Sequence, residues 1–204
     1  MLHYETIEQS TLDILRRIQS ISELSGLRLV GGTALALILG HRQSIDLDFF
    51  GRIEDSPEEL AYYMSQLGKT EILKASKNIN TFLVDNVKVD FVNYHFEWIQ
   101  QPLKTDGLIL AKQKDIAAMK LSAITGRGTK KDFIDLYYLL KQYSLSEIFE
   151  FYSEKYPAGS HFLTLRSLLY FEDAEKTVMP KMIDKSLTWE TIKEKIIRET
   201  KKLV

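Results

Sequence analysis

The sequence predicts an α+β protein: a small mixed β-sheet with helices on one face, followed by a helical C-terminal part. Three observations carry this. The stretch Ile45 to Phe50 is apolar or aromatic apart from Asp46 and Asp48, and it reads as a strand. Asn80 to Asp85 and Val87 to Tyr94 flank an Asp85-Asn86 turn, the pattern of a hairpin. From Asp115 onward the apolar spacing becomes helical.

In chain order, Ile7, Leu12, Ile14, Leu15, Ile18 and Ile21 recur at roughly helical spacing, so about Thr6 to Ser25 is expected to form an amphipathic helix on the back of the sheet. Leu27 to Val30 reads as a strand that runs into Gly31-Gly32 and then a short helix, about Thr33 to Leu39. Ile45 opens the next strand, with Ile45, Leu47 and Phe49 expected in the core, and Gly51 ends it. Asp55, Ser56 and Pro57 start a helix whose Glu58 and Glu59 suit its N-terminal dipole. Lys69 to Lys77 reads as an edge strand before the hairpin, and Leu108 to Ala111 as a short strand after it. Helices follow from Asp115, from Asp132, over Leu145 to Tyr156, from His161 to about Phe171, and over Thr188 to Leu203. The last is expected to dock as a cap along Trp189, Ile192, Ile196 and Ile197; contact with nucleic acid or a partner protein is the alternative. Two parts are expected, a core over 1–105 and a helical part over 106–204 that closes the same cleft.

Composition excludes more than it selects. With 45% hydrophobic and 27% charged residues among 204, the chain is of ordinary globular type and long enough for one substantial core. It has no cysteine, which excludes disulfides and thiolate metal sites and fits a cytoplasmic location. No apolar run is long enough to span a bilayer, and MLHYETIEQS lacks the features of a secretion signal, so no membrane partner is expected. A net charge of −1 gives no global attraction to nucleic acid, and the four histidines are dispersed.

The chemistry concentrates between Val30 and Phe50. Side chains at i and i+2 of a strand leave one face, so Ser44, Asp46 and Asp48 point the same way. Two carboxylates so placed repel each other unless a cation lies between them. Oxygen-only ligands favour Mg²⁺ or Mn²⁺ over Zn²⁺. The Gly31-Gly32 turn at a helix start lets backbone N–H groups approach an anion, so a polyphosphate with its metal fits between turn and aspartates. Neither GxGxxG nor GK[ST] is present.

Gly31, Gly32 and Asp46-x-Asp48, with residues 33 to 45 between them, resemble the signature of the polymerase-beta-like nucleotidyltransferase superfamily. The fuller string GGTALAL…HR-x-S-x-DLDFF is similar to its AbiEii/AbiGii toxin branch, and DIAAMKLSAITGRGTKKDFIDLYYLL (115–140) is similar to that family's second block. The resemblance spans roughly Leu27 to Leu140. It implies a metal-dependent transfer of NMP from an NTP to a hydroxyl of RNA, such as a tRNA end, or of a protein. It also implies a separately encoded antitoxin as partner. A third carboxylate is implied from a neighbouring strand, and Asp90 fits best, ahead of Asp85 and Glu97; a solvated edge-strand residue is the plain alternative. Asp46, Asp48 and Asp90 would then be the metal ligands of a two-metal scheme. Gly31 and Gly32, with Thr33 at the helix start and Ser44 beside them, would hold the NTP phosphates, and Lys120 and Arg42 would neutralise their charge. Lys120 lies in line with Ile116 and Ile124, so its ammonium must snorkel or meet an anion. Asp132 is either an N-terminal helix acid or, as the resemblance implies, an active-site residue that acts as a base or orients the acceptor. Arg127, Lys130 and Lys131 form a basic connector that is either solvated or holds phosphates or RNA backbone. Two other functions fit the same residues: a nucleotidyltransferase for a small molecule, as in drug-modifying enzymes, and a catalytically silent binding module.

Overall fold

A computed structural model describes residues 1–203. Seven strands form one mixed sheet: β1 (Arg28–Leu29), β2 (Leu47–Gly51), β3 (Thr70–Lys74), β4 (Ile79–Val84), β5 (Val87–Asn93), β6 (Leu103–Thr105) and β7 (Leu108–Leu110), in the order β3-β4-β5-β2-β1-β7-β6. The β2–β5 and β1–β7 pairs are parallel and the others antiparallel. Asp85 and Asn86 both adopt positive φ, as a two-residue hairpin between right-twisted strands requires. β6 has no counterpart in the expected elements, and because β7 pairs with β1, the sheet extends past residue 105.

The helices are α1 (Gln9–Gln19), α2 (Gly31–Leu39), α3 (Pro57–Ser65), α4 (Gln113–Gly126), α5 (Lys130–Leu139), α6 (Leu145–Lys155), α7 (His161–Leu168), α8 (Glu172–Glu175) and α9 (Trp189–Lys201). The first helix is shorter than its periodicity suggests. Short 3₁₀ turns at Tyr4–Thr6 and Ser22–Leu24 flank α1, because Thr6 donates to His3 O at 2.6 Å and Ser20 to Arg17 O at 2.7 Å, giving the backbone local alternatives to the helix ladder. α2 begins at Gly31, so both glycines lie in its first turn. α3 starts with a complete Ser56–Glu59 capping box, and α5 starts at Lys130 behind a Thr129–Asp132 box.

Alternation along β2 and β5 divides the sheet into two faces. Leu47, Phe49, Val89 and Phe91 are fully buried in the core, with the rings of Phe49 and Phe91 stacked 5.4 Å apart. α1 packs against β7, and α3 against β3 and β4. Asp48 and Asp90 leave the opposite face, where α4 stands across a cleft and packs in turn on α2, α5, α6 and α7. One hydrophobic cluster runs through sheet and helices together. The stretch between α8 and α9 is a strap: Met182 bridges Arg42, Gln43 N donates to Lys181 O at 2.8 Å, and Ile183 N to His41 O at 3.1 Å.

Ile45 corrects the expected pattern. It is 60% exposed, and β2 begins only at Leu47. Ser44 N is held by Thr6 O at 2.9 Å and the Asp46 carbonyl accepts from Thr33 Oγ1, so the chain enters the strand from a pinned loop and Ile45 turns outward.

Candidate active site

The strand carboxylates meet through register. β2 and β5 run parallel with Asp48 opposite Asp90, so two acidic side chains from separate strands stand side by side on the cleft face. Burial, then the adjacent Asp90 carboxylate, push the Asp48 pKa up to about 6, and Asp48 has no ion-pair partner among the described residues. Asp90 pairs with Lys88 through one oxygen, while the other, Oδ1, is buried without a hydrogen-bond partner. Asp46 lies nearer the surface, 3.3 Å from Lys131 Nζ. The alternatives for the third carboxylate lie elsewhere: Asp85 sits in the hairpin turn and accepts from Lys69 N at 2.9 Å, and Glu97 is exposed.

The glycines are required by contact. Gly31 has φ +67°, and a Cβ there would overlap Asp48 Oδ2; a Cβ on Gly32 would overlap the Arg42 guanidinium. The turn therefore brings backbone against the carboxylate on one side and a cation on the other. Thr33, 1% exposed, donates to Ser44 Oγ at 2.9 Å as well as to the Asp46 carbonyl, so it fixes the loop carrying Ser44 and Asp46 and is closed to a ligand.

Behind the turn lies a buried ionic network that sequence reasoning only partly found. Arg42, 2% exposed, grips Asp135 with Nε at 2.7 Å and Nη2 at 2.9 Å. Lys120 Nζ reaches Asp135 at 2.6 Å and Asp132 at 3.0 Å, and His41 Nε2 lies 2.8 Å from Asp135. Burial opposes ionisation of Asp135, yet Arg42, Lys120 and His41 hold its pKa well below the usual carboxylate range. Asp132 is likewise lowered, chiefly by Lys120 working against burial, while Lys120 is raised by the two aspartates despite complete burial. Burial lowers the pKa of His41, whose Nδ1 has no partner. Asp132 closes the α5 capping box, as expected of an N-terminal helix acid, and also accepts from Lys120 Nζ at 3.0 Å on the cleft wall. His41 and Asp135 were not among the expected residues. The signal available was the HR dipeptide and the second aspartate of KD-x-x-DL.

The cleft has two lobes that share Asp48, Lys88, Asp90, Lys120 and Arg127. The polar lobe, about 200 Å³, adds Gly32, Arg42, Ser44, Asp46, Thr129, Lys131 and Asp132. The larger, about 720 Å³, is walled by Phe50, Ile79, Tyr94, Phe96, Met119 and Tyr156. Its aromatic wall is braced from behind: the Tyr94 and Tyr156 hydroxyls are 2.8 Å apart, and the buried Lys155–Asp115 pair, at 2.7 Å, ties α6 to the 97–100 segment through Glu97 O, Ile99 N and Gln100 N. Among the described residues no three His, Cys, Asp or Glu side chains form a ready-made metal cluster. The strand carboxylates nevertheless fit a divalent ion in three respects: hard oxygen donors, mutual repulsion at Asp48, and the unpartnered Asp90 Oδ1.

A helix-opening double glycine packed on the second aspartate of a DxD that leads into a strand, with a further aspartate in register beside it, fits a nucleotidyltransferase class of site and fold. The comparisons with known proteins agree. The profile of the family described as "Nucleotidyl transferase AbiEii toxin, Type IV TA system" matches residues 13–202, and the chain belongs to that family. It is a nucleotidyltransferase of the toxin type. It is 33% identical over 201 residues to an uncharacterized protein of Aquifex aeolicus (strain VF5), covering 96% of each chain. Its fold is similar to the crystal structure of JHP933 from Helicobacter pylori (TM-score 0.58, 17% identity, 96% of this chain and 89% of that one). It is also similar to the nucleotidyltransferase toxin MenT4 from Mycobacterium tuberculosis H37Rv (TM-score 0.53, 15% identity, 97% and 87%). Among the described residues no helix is long and apolar enough to cross a membrane.

Proposed function

We propose that the protein transfers the NMP moiety of an NTP to a hydroxyl on RNA, with a tRNA end as the first acceptor to test, and that it is the toxin of a pair whose antitoxin is encoded separately. The observation that supports this is the register pairing of Asp48 with Asp90 beside Gly31, with Gly32 lining the same lobe, because hard oxygen donors then face a helix start suited to an anion. Asp46, Asp48 and Asp90 would hold Mg²⁺ or Mn²⁺, which when bound supplies positive charge to the phosphates and lowers the pKa of the acceptor hydroxyl.

The chain's own residues do the rest. The Gly31-Gly32 turn offers backbone N–H groups to the phosphates, with Ser44 beside it. Lys120 is fixed by two aspartates and lines both lobes, so its charge is placed in advance where negative charge develops as pyrophosphate leaves. Arg42 is buried against Asp135, so it acts through that residue and by its charge beneath Gly32. Asp132, with a lowered pKa, is a poor proton acceptor and is assigned to orienting Lys120 and the acceptor. The aromatic lobe offers stacking surfaces of the kind nucleobases use.

The test is incubation with each α-labelled NTP, Mg²⁺ and total tRNA, beside an Asp46→Ala, Asp48→Ala double variant. Label enters RNA only with the aspartates intact. Label on the protein itself would replace the RNA acceptor by a protein hydroxyl. Absence of both transfer and NTP binding would overturn the assignment.

A further inference from the structure

The strand carboxylates are not bare. Lys88, two residues before Asp90 on β5, is ion-paired to it, and Lys131, from the first turn of α5, reaches Asp46 at 3.3 Å. These lysines differ from Lys120. The side chain of Lys120 is 7% exposed and held by two aspartates, whereas those of Lys88 and Lys131 are 42% and 48% exposed and each holds one. A half-exposed ammonium on a four-carbon stem reorients at little cost, so the contacts at Asp46 and Asp90 are exchangeable while those at Asp132 and Asp135 are not. Both lysines line the same lobe as Gly32 and Ser44, within the space assigned to the phosphates.

Charge sets the direction of exchange. Asp46 and Asp90 are matched by Lys131 and Lys88, and Asp132 and Asp135 by Lys120, Arg42 and Arg127, which lies 3.5 Å from Asp132, leaving Asp48 as the unpaired acid in a lobe whose charges already balance. Divalent ions entering alone would leave the lobe with excess positive charge. A triphosphate entering with them supplies the anion to which freed lysines can turn. Resting on the nucleotidyltransferase reading above, we propose that Lys88 and Lys131 are internal counterions, seated on Asp90 and Asp46 in the metal-free protein and transferred to the triphosphate when nucleotide and cation arrive, so that the two bind as a unit.

The test is Mn²⁺ binding to the full chain, followed by the electron paramagnetic resonance of the free ion, with and without an NTP analogue that cannot be transferred. In the Lys88→Met, Lys131→Met double variant, Mn²⁺ alone is expected to bind about tenfold tighter or more, because two competing charges are gone. The factor by which the analogue improves Mn²⁺ affinity is expected to shrink in that variant. Lys88→Arg, which keeps the charge, is expected to stay near wild type; tightening there would trace the effect to packing and overturn the proposal. Unchanged Mn²⁺-alone affinity in the double variant, with a wild-type melting curve and binding still lost in Asp48→Asn, overturns the counterion role alone. Binding that survives Asp48→Asn, or no binding to any form, overturns the metal site and this proposal together.

Discussion

Two sets of aspartates share this cleft and are treated in opposite ways. On the sheet, Asp48 stands beside Asp90 with no cation paired to it, and its pKa is pushed up to about 6. On α5, one turn behind the cleft wall, Asp135 is gripped by Arg42, Lys120 and His41 and held well below the usual range. Burial acts against ionisation at both, so the neighbours decide. The comparison separates a carboxylate whose charge has no ion-pair partner among the described residues from one whose charge is satisfied by the fold. The first stands against the neighbouring Asp90 carboxylate; the second joins the loop between α2 and β2 to α4 and α5.

Breaking the second set has the larger effect. Asp135→Ala leaves a guanidinium and an ammonium buried without their shared partner, and is expected to cost about 3–5 kcal/mol in urea unfolding. A variant that unfolds like wild type would remove Asp135 from that junction. Asp48→Asn is expected to do the reverse, relieving repulsion with Asp90 and stabilising the metal-free protein by on the order of 2 kcal/mol while transfer falls to background. A drop in melting temperature would show that Asp48 is satisfied in the free protein. The smallest effect is in the pH dependence. A folded pKa held below its unfolded value contributes stability that is present above the unfolded pKa and lost as pH falls through the folded one. The Asp135 contribution is therefore expected to be complete above about pH 4 and to be lost progressively below it. Against wild type, the unfolding profile of Asp135→Asn should lack this acid-side loss.

How much of this was legible follows the range of each interaction. The double glycine, the DxD and the hairpin are local patterns that could be read from neighbours in sequence, whereas the choice of Asp90 rested on the family resemblance. The partners of Asp135 could not be read so, because they come from positions 41, 42 and 120, and the HR dipeptide and KD-x-x-DL signal charged residues without saying that they meet. Arg42, expected at the phosphates, lines the polar lobe while its guanidinium is bonded to Asp135, and Thr33 is bonded to Ser44 and the Asp46 carbonyl; neither set of bonds could be read from the sequence. Ile45 failed as a core residue for the same reason, since the pins at Ser44 and Asp46 are long-range contacts that outrank alternation. β6 and α8 escaped because elements of three and four residues are too short to show a period.

The strap over His41 and Gln43 has a consequence for the order of events during synthesis. The residues proposed to carry the chemistry on the sheet lie in the first half of the chain, yet the loop leading into them is hydrogen-bonded to Lys181 and Ile183. A nascent chain that has made Asp46, Asp48 and Asp90 still lacks the segment that ties down their approach, as well as the α5 aspartate that anchors Arg42. The loop into the DxD is thereby pinned only once the last quarter of the chain has been made, so the cleft as a whole is completed late in synthesis.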